Sequence, residues 1–245
     1  MSKLIVANWK MYLSPKDSVE LFGAVAKKSK TVICSSFIAL NQLSALAKKS
    51  GIGLGAQDCF WDNRGAYTGE VSPLDLKDLG CEYVIVGHSE RRNYFKETDK
   101  MVGKKVKAAL VAGLTPILCV GENESERKKG KASARVEEQL EYALDGLGKK
   151  LRAEQWIIIA YEPVWAIGTG NACDPETAVK MHQMIKEKIA KLISVKNVRV
   201  LYGGSVDDKN IASYLKNTEI DGALVGGAST KKDVFMSLLA VAAKF

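Results

Sequence analysis

The fold is constrained most by a regular alternation along the chain, in which short β-rich apolar runs are separated by longer amphipathic segments. Eight such units follow one another in 245 residues, with no linker or low-complexity stretch between them. Strands that alternate with helices predict parallel strands joined by crossover connections. Eight uninterrupted units favour a closed (β/α)8 barrel over an open doubly wound sheet, although the periodicity by itself is compatible with both.

The alternation defines a set of predicted elements. Strands are predicted over residues 4–8, 32–35, 53–57, 83–87, 115–120, 157–161, 198–202 and 222–225. Helices are predicted over residues 15–27, 41–49, 73–79, 100–112, 125–147, 175–193, 208–215 and 232–243. In an α/β barrel the carboxyl ends of the strands meet at one face, and functional residues gather there.

Length and composition are those of an ordinary globular protein. A chain of 245 residues has the size of a single α/β barrel, so we expect one domain over residues 1–245. The net charge of +8 could indicate a nucleic-acid partner. The lysines, however, are spread along helical segments, and no basic strip studded with aromatic residues occurs. We therefore expect a solvated basic surface and no nucleic-acid partner.

Cysteine, histidine and hydropathy patterns argue against several other classes. The five cysteines are odd in number and include no Cys-x-x-Cys pair, and the chain has two histidines, so a metal site is poorly supported. No apolar run approaches the length needed to cross a membrane, and the run over residues 3–7 is too short for a signal-peptide core. We expect a reduced, cytoplasmic protein with no metal and no membrane partner.

One segment carries more chemical information than the rest of the chain. The apolar run over residues 156–159 predicts a buried parallel strand that continues into Ala160-Tyr161-Glu162-Pro163-Val164-Trp165-Ala166-Ile167-Gly168-Thr169-Gly170. Glu162 therefore leaves the end of a core strand and meets a stiffening proline. An apolar stretch and then a glycine-rich one follow. This order suits a general base at the floor of a pocket, beside a lid with an apolar tip and exposed amides for an anion.

This segment resembles the catalytic glutamate and lid of the triosephosphate isomerase family. Four further motifs resemble that family in the same order along the chain: Ala7-Asn8-Trp9-Lys10, Gly87-His88-Ser89-Glu90-Arg91-Arg92, Tyr202-Gly203-Gly204-Ser205-Val206 and Leu224-Val225-Gly226-Gly227-Ala228. They run from the first strand to the last, so the resemblance covers the whole chain. It implies the closed barrel and a cofactor-free isomerase that interconverts dihydroxyacetone phosphate and D-glyceraldehyde 3-phosphate through an enediol(ate).

The resemblance also implies a role for each matched residue. Glu162 would be the base. His88, kept neutral by the amides of a following helix start, would polarise the substrate carbonyl. Lys10 would supply a positive charge, and Asn8, two residues earlier on the same strand face, would orient it and bind a substrate oxygen. Glu90 would touch the substrate, or balance Lys10 and place His88. Backbone amides would hold the phosphate near Gly168, Ser205, Gly226 and Gly227.

A long aromatic loop over residues 57–70 suggests an interface. It contains Phe60, Trp61 and Tyr67, and three exposed rings fit poorly with a merely mobile surface loop. Cys59 would then lie at or near the contact, and a bulky thiol reagent could separate the subunits and lower activity together.

The resemblance implies a homodimer in which this loop inserts into a second subunit. Thr68 would approach the active site of the neighbouring subunit, and Glu70 and Arg91 match family positions that pair across the interface. Two positions depart from the family pattern. Tyr12 stands where an asparagine is common, and Asn171-Ala172-Cys173 replaces the usual lysine-led hinge after the lid.

Two other interpretations remain open at this stage. Another phosphosugar isomerase or an aldolase could use the same barrel, although Schiff-base chemistry needs a lysine inside a strand and the predicted strand cores contain none. A basic nucleic-acid-binding protein on a barrel scaffold belongs to a different class. Binding of single-stranded DNA at physiological salt would distinguish it from an isomerase.

Overall fold

The chain forms a closed barrel of eight parallel strands. The computed structural model describes residues 2–25, 31–147, 154–168, 172–193 and 197–245. The strands pair in chain order, and the last pairs with the first. They are β1 (Leu4–Asn8), β2 (Thr31–Ser35), β3 (Gly53–Ala56), β4 (Tyr83–Val86), β5 (Thr115–Val120), β6 (Ile157–Tyr161), β7 (Val198–Tyr202) and β8 (Gly222–Val225). The predicted α/β class and (β/α)8 architecture are confirmed.

The predicted strand bounds agree with the structure to within one residue. β2 begins one residue earlier than predicted, at Thr31, and β3 and β4 each end one residue earlier. At the end of β4 the reason is local, because Gly87 adopts a φ of 71° and turns the chain out of the sheet. This turn brings His88 to the start of a helix rather than to the end of the strand.

The strands are buried on both faces, which explains why the sequence shows continuous apolar runs instead of alternation. One set of side chains packs together inside the barrel: Val6, Val32, Cys34, Ile85, Ile117, Cys119, Ile158, Ala160, Leu201 and Leu224. The residues between them belong to a second core, shared with the surrounding helices, which includes Ile5, Ala7, Ile33, Leu54, Val84 and Leu118. Because the interior is filled, the space for a site lies at the strand ends.

Helices surround the barrel. Those of the described ranges are α1 (Pro15–Val25), α2 (Phe37–Ser50), α3 (Pro73–Asp78), α4 (Ser89–Phe95), α5 (Asp99–Val111), α6 (Glu124–Lys128), α7 (Ala132–Leu144), α8 (Pro175–Leu192), α9 (Ile211–Leu215) and α10 (Lys232–Ala242). Within these ranges, no helix combines the length and apolar character that crossing a bilayer requires.

Several predicted helix bounds are wrong. The single helix expected over residues 125–147 is two helices, because Gly130 adopts a φ of 68° between α6 and α7. α2 begins four residues earlier than predicted, and α9 begins at Ile211 instead of residue 208. The sequence indicated the first turn of α4 but not its full length. The last two residues of the predicted helix 15–27 lie outside the described residues.

The aromatic loop differs from the expectation of three exposed rings. Phe60 is buried, and its ring packs against those of Trp61 and Tyr67 at centroid distances of 4.1 and 4.4 Å. Tyr67 is 43% exposed, and Trp61 is half-buried. Cys59 lies in the core, where burial raises the pKa of its thiol to about 12. Within one subunit the thiol of Cys59 is therefore buried, and its expected place at or near a subunit contact stays a prediction.

One histidine outside the strand ends affects the stability of the fold. His182 of α8 is fully buried, and its ring lies edge-on to that of Tyr161 with centroids 6.1 Å apart. Burial, together with the positive charge of Lys186, lowers the pKa of His182 to about 3 from its ordinary value of 6.5. Between these two pH values the unfolded chain binds a proton at this residue and the folded chain does not.

We therefore expect His182 to make a contribution that lowers the stability of the protein as the pH falls from 7 to 5. Proton uptake at His182 favours the unfolded chain in this window, by about 2 kcal/mol at pH 5. Urea denaturation of the wild type and of His182→Gln at both pH values measures this contribution. The variant should lose about 2 kcal/mol less than the wild type on acidification, and equal losses would contradict the assignment.

Candidate active site

A cavity of about 360 Å³ lies at the carboxyl ends of the strands. Its wall contains most of the residues that the sequence predicts for a site: Asn8, Lys10, His88, Glu162, Gly168, Ser205, Gly226 and Gly227. The closed barrel thus brings together side chains from both ends of the chain. Tyr12, Asn210 and Leu224 also line the cavity, and the sequence analysis did not place them in the substrate site.

Glu162 lies immediately after β6 and is 2% exposed. Its backbone N–H donates to the carbonyl of Val120 at 2.8 Å, which extends the pairing of β6 with β5 by one residue. One carboxylate oxygen, Oε2, accepts a hydrogen bond from the backbone N–H of Ser89 at 2.9 Å. The other, Oε1, lies 3.0 Å from His88 Nε2. Both oxygens therefore have a partner on the β4–α4 turn.

These contacts determine the protonation state of Glu162. Burial by itself raises the pKa of this carboxyl group. The opposing effects of His88, the Ser89 amide and Lys10 are larger together, so its pKa lies below the ordinary value of 4.5. The group is therefore a carboxylate at neutral pH. In this arrangement it is also a weak base, because its charge is stabilised by its donors.

His88 occupies the N-cap position of α4, and its Nδ1 accepts a hydrogen bond from the backbone N–H of Glu90 at 3.2 Å. A nitrogen that accepts an N–H carries no proton, so this contact assigns the proton of the neutral ring to Nε2. Burial lowers the pKa of His88, but the attraction of Glu162 outweighs it, and the pKa lies above the ordinary 6.5. Above that pKa the imidazole is neutral, and its Nε2–H faces Oε1 of Glu162.

Lys10 adopts a φ of 50°, a left-handed conformation that is uncommon for a residue with a side chain. Hydrogen bonds hold both the N–H and the carbonyl of this strained residue. The N–H of Lys10 donates to Asn8 Oδ1 at 3.0 Å, and Gln57 Nε2 donates to the carbonyl of Lys10 at 2.9 Å. Such strain persists where the surrounding structure fixes it, and functional sites are where it is concentrated.

Glu90 lies beside the cavity and not in the group of residues that line it. Its Oε1 lies 2.5 Å from Lys10 Nζ, and its Oε2 lies 3.6 Å from His88 Nδ1. The side chain is 41% exposed. Of the two roles left open by the sequence, this position favours balancing Lys10 and placing His88 over contact with a ligand.

Short glycine-rich turns form another part of the cavity wall. Gly226 and Gly227 follow β8, where Gly227 opens a 3₁₀ turn over Gly227–Thr230. A Cβ added to Gly226 would lie 3.2 Å from Lys10 Cε, so a larger residue would crowd the lysine. Ser205 follows β7, and its hydroxyl donates to the carbonyl of Ala166 at 2.8 Å. Glycine turns of this kind let an anion approach backbone amides closely.

The first hinge of the predicted lid is held by a buried carboxylate that the sequence analysis did not identify. Glu122 is 0% exposed, accepts hydrogen bonds from Trp165 Nε1 at 2.7 Å and from the Tyr161 hydroxyl at 3.2 Å, and accepts the N–H of Val164 at its carbonyl. Arg127 lies 4.1 Å above the Trp165 ring. The sequence did contain a signal for this residue, because Glu122 lies two positions after the end of the predicted strand 115–120.

The rest of the predicted lid is only partly described. Thr169, Gly170 and the altered hinge residue Asn171 lie outside the described residues. Cys173, at the second hinge, is buried, and its carbonyl accepts the Tyr214 hydroxyl at 2.5 Å. This contact anchors the end of the lid to α9.

The residues predicted for a subunit interface lie apart from the cavity. Thr68 and Glu70 are exposed. Arg91 Nε makes its ion pairs within the chain, at 2.5 Å from Glu97 and 2.8 Å from Asp58. Among the described residues, no group of three or more histidine, cysteine, aspartate or glutamate side chains could hold a metal ion.

We expect inorganic phosphate to bind in this cavity through Lys10 and the glycine turns. Lys10→Met should weaken that binding by about tenfold or more, because a hydrogen bond to a charged group is worth about 1.5–3 kcal/mol. Calorimetric titration with phosphate measures the change. Lys16→Met is the matched control, since Lys16 is exposed on α1 and outside the cavity wall. Equal affinities for the wild type and Lys10→Met would contradict the assignment.

Comparison with known proteins shows the family to which this chain belongs. The family model described as triosephosphate isomerase matches residues 3–242. A triosephosphate isomerase of Dictyoglomus thermophilum is 47% identical over 97% of this chain and 98% of its own length. That of Lactobacillus delbrueckii subsp. bulgaricus is 42% identical over 96% of each chain. That of Caldanaerobacter subterraneus subsp. tengcongensis is 43% identical over 96% of this chain and 98% of its own.

Proposed function

We propose that this chain, which belongs to the triosephosphate isomerase family, interconverts dihydroxyacetone phosphate and D-glyceraldehyde 3-phosphate. The reaction passes through an enediol(ate) and uses no cofactor. Family membership makes the chain an isomerase. The assignment of individual steps to residues is our proposal and rests on the geometry of the cavity.

The observation that carries the assignment is the pair formed by Glu162 and His88. A buried carboxylate and a buried imidazole lie 3.0 Å apart on the wall of one cavity, and we propose that the imidazole acts in its neutral form. Exchange of a ketose for an aldose needs one group that moves a proton between adjacent carbons. It also needs a second group that transfers protons to and from the two substrate oxygens. The pair supplies both within reach of one small substrate.

Glu162 acts as the base. Its carboxylate takes a proton from the carbon beside the substrate carbonyl, the C–H electron pair becomes the C=C bond of the enediolate, and the proton returns to the neighbouring carbon. Glu162 is held by His88 and Ser89, which lower its pKa. The carboxylate must leave these donors to reach the substrate, and loss of the donors together with exclusion of water raises its basicity.

His88, Lys10 and Asn8 stabilise the charge that develops on the substrate oxygens. His88 donates from Nε2, because Nδ1 is occupied by the Glu90 amide. The ammonium of Lys10 provides a fixed positive charge at the rim of the cavity, and preorganised donors of this kind act where charge appears in the transition state. Asn8 fixes the backbone of Lys10 through Oδ1, which leaves its amide group to bind a substrate oxygen.

The phosphate of the substrate binds at the glycine turns. The backbone near Gly168, Ser205, Gly226 and Gly227 faces the cavity, with Lys10 beside it. Closure of the lid would bring Gly168 over the phosphate and the apolar Ile167 over the substrate. Water is then excluded from the enediolate, which protects it from loss of phosphate.

We expect Glu162→Gln to remove nearly all isomerase activity while the fold and phosphate binding persist. The amide cannot accept the proton, so the loss should fall on kcat, by about a hundredfold or more for a general base. A coupled assay with D-glyceraldehyde 3-phosphate measures it. Glu162→Asp, which keeps the carboxylate but shortens its reach, should retain more activity than Glu162→Gln. A Gln variant with more than about a tenth of wild-type activity would rule out this base.

We also propose that the chain acts as a homodimer. Large apolar side chains are exposed on the segments directly after the neighbouring strands β1, β2, β3 and β4, and this placement predicts one patch at the carboxyl ends of these strands: Met11, Tyr12, Phe37, Ile38, Tyr67, Tyr94 and Phe95. A patch of this kind at one side of a barrel favours burial against another protein surface. The patch includes the loop of Thr68 and Glu70 and the helix of Arg91, so these three residues would lie at or near the contact.

We expect Met11→Glu to shift the protein from dimer to monomer, because Met11 is 95% exposed and a charge there would be buried on association. Sedimentation velocity at micromolar concentration measures the change, and activity should fall with the dimer fraction. Val111→Glu is the control, since Val111 is 75% exposed at the end of α5, outside the patch. A wild-type chain that sediments as a fully active monomer would exclude the proposal.

Two further expectations belong to this proposal. The chain would act as one domain over residues 1–245, with a small phosphorylated triose as its substrate and no nucleic-acid or membrane partner. It would act in the cytoplasm, where the five buried thiols stay reduced.

A further inference from the structure

β5 extends beyond its neighbour β4 at the end of the barrel where the cavity lies. The pairing of the two strands ends at Val86 and Leu118, whereas β5 continues to Val120. Alternate residues of a strand in a parallel sheet direct their backbone groups to opposite neighbours. The carbonyl of Cys119 and both backbone groups of Gly121 therefore need partners other than β4. Buried backbone groups without a partner are costly.

A single side chain of the outer helix layer satisfies both backbone groups of Gly121. Gln139 of α7 is 3% exposed. Its Oε1 accepts the N–H of Gly121 at 2.8 Å, and its Nε2 donates to the carbonyl of Gly121 at 3.2 Å. The primary amide is suited to this task because it combines an acceptor and a donor at one end. We refer to this pair of hydrogen bonds as the Gln139 clamp.

The clamped backbone is in direct contact with the peptide of the base. A Cβ added to Gly121 would lie 1.7 Å from the carbonyl oxygen of Glu162 and 2.6 Å from its carbonyl carbon. The residues on either side of Gly121 bond to the same segment. Val120 accepts the N–H of Glu162, and the carbonyl of Glu122 accepts the N–H of Val164. The position of Gly121 therefore fixes the backbone of Glu162 and of the first lid hinge.

We propose that Gln139 is a positioning residue for the isomerisation, acting on Glu162 through Gly121. Neither Gln139 nor Gly121 lines the cavity, so the effect reaches the base through the backbone. The clamp sets the position from which the carboxylate leaves Ser89 and His88 and reaches the substrate. This inference rests on the proposed function, because it assigns a role in placing the proposed base.

A purely structural role for Gln139 would have a different signature. Loss of the clamp would then lower stability, as any buried defect on α7 does, and leave the catalytic constant of the folded protein unchanged. A positioning role predicts a loss in kcat with little change in KM, because a base displaced by about 1 Å can cost up to a hundredfold in rate. Binding of the anion at the glycine turns should not change in either case.

The experiment compares Gln139→Met with Val136→Ala in the full-length protein. Methionine keeps the volume of glutamine and removes both hydrogen bonds. Val136→Ala removes packing from the same helix, one turn away, at a residue that is also fully buried. We expect Gln139→Met to lower kcat by about tenfold or more, with less than a twofold change in KM and in the inhibition constant of inorganic phosphate. Val136→Ala should lose stability and keep kcat.

Gln139→Glu provides a second test that does not depend on the folding of Gln139→Met. Its carboxylate keeps the acceptor for the Gly121 N–H but loses the donor to the carbonyl, and protonation restores that donor. The ratio of its kcat to that of the wild type should therefore rise as the pH is lowered, and a ratio that is flat and near one would overturn the proposal. An unchanged kcat in Gln139→Met would overturn it as well. If the wild type itself does not isomerise, the proposed function fails instead.

Discussion

The pairing between β1 and β8 is the interaction on which the rest of the structure depends, because it converts a row of strands into a ring. Leu4 pairs with Gly222, and a Cβ at Gly222 would lie 1.8 Å from the carbonyl oxygen of Leu4. Glycine is therefore required for the first and last strands to approach. In an open sheet Lys10 and Gly226 would lie at opposite edges. In the ring they are neighbours, and the cavity forms between them.

Within the ring, carboxylates alternate with nitrogen-bearing side chains along one row of contacts. Glu162 lies 3.0 Å from His88, His88 lies 3.6 Å from Glu90, and Glu90 lies 2.5 Å from Lys10. Each carboxylate thus lies next to a nitrogen-bearing side chain, and such contacts lower the cost of keeping an ionised group inside a protein. The same contacts restrain the proposed base and the proposed cation. An anionic substrate that competed with Glu90 for Lys10 would disturb this row of contacts, and it would thereby couple substrate binding to activation of the proposed base.

The sequence was sufficient for the strands and for most of the cavity wall, because both follow from local patterns. Buried parallel strands are continuous apolar runs, and strand-end residues converge once the ring closes. The predictions failed where a non-local contact decides the outcome. The ring of Phe60 is buried against those of Trp61 and Tyr67, whereas the sequence suggested that it is exposed. Gln139 and Glu122 contact residues distant in sequence, so neither could be assigned without the structure. Helix bounds were missed because capping and a single glycine, Gly130, outweigh periodicity.

The left-handed backbone of Lys10 has a consequence for how this protein can change over evolutionary time. Glycine would adopt a φ of 50° without strain, so a simple substitution at this position would remove a source of instability. It would also delete the ammonium group that we propose binds the substrate. A substitution that favoured stability at this one position would therefore work against the proposed turnover.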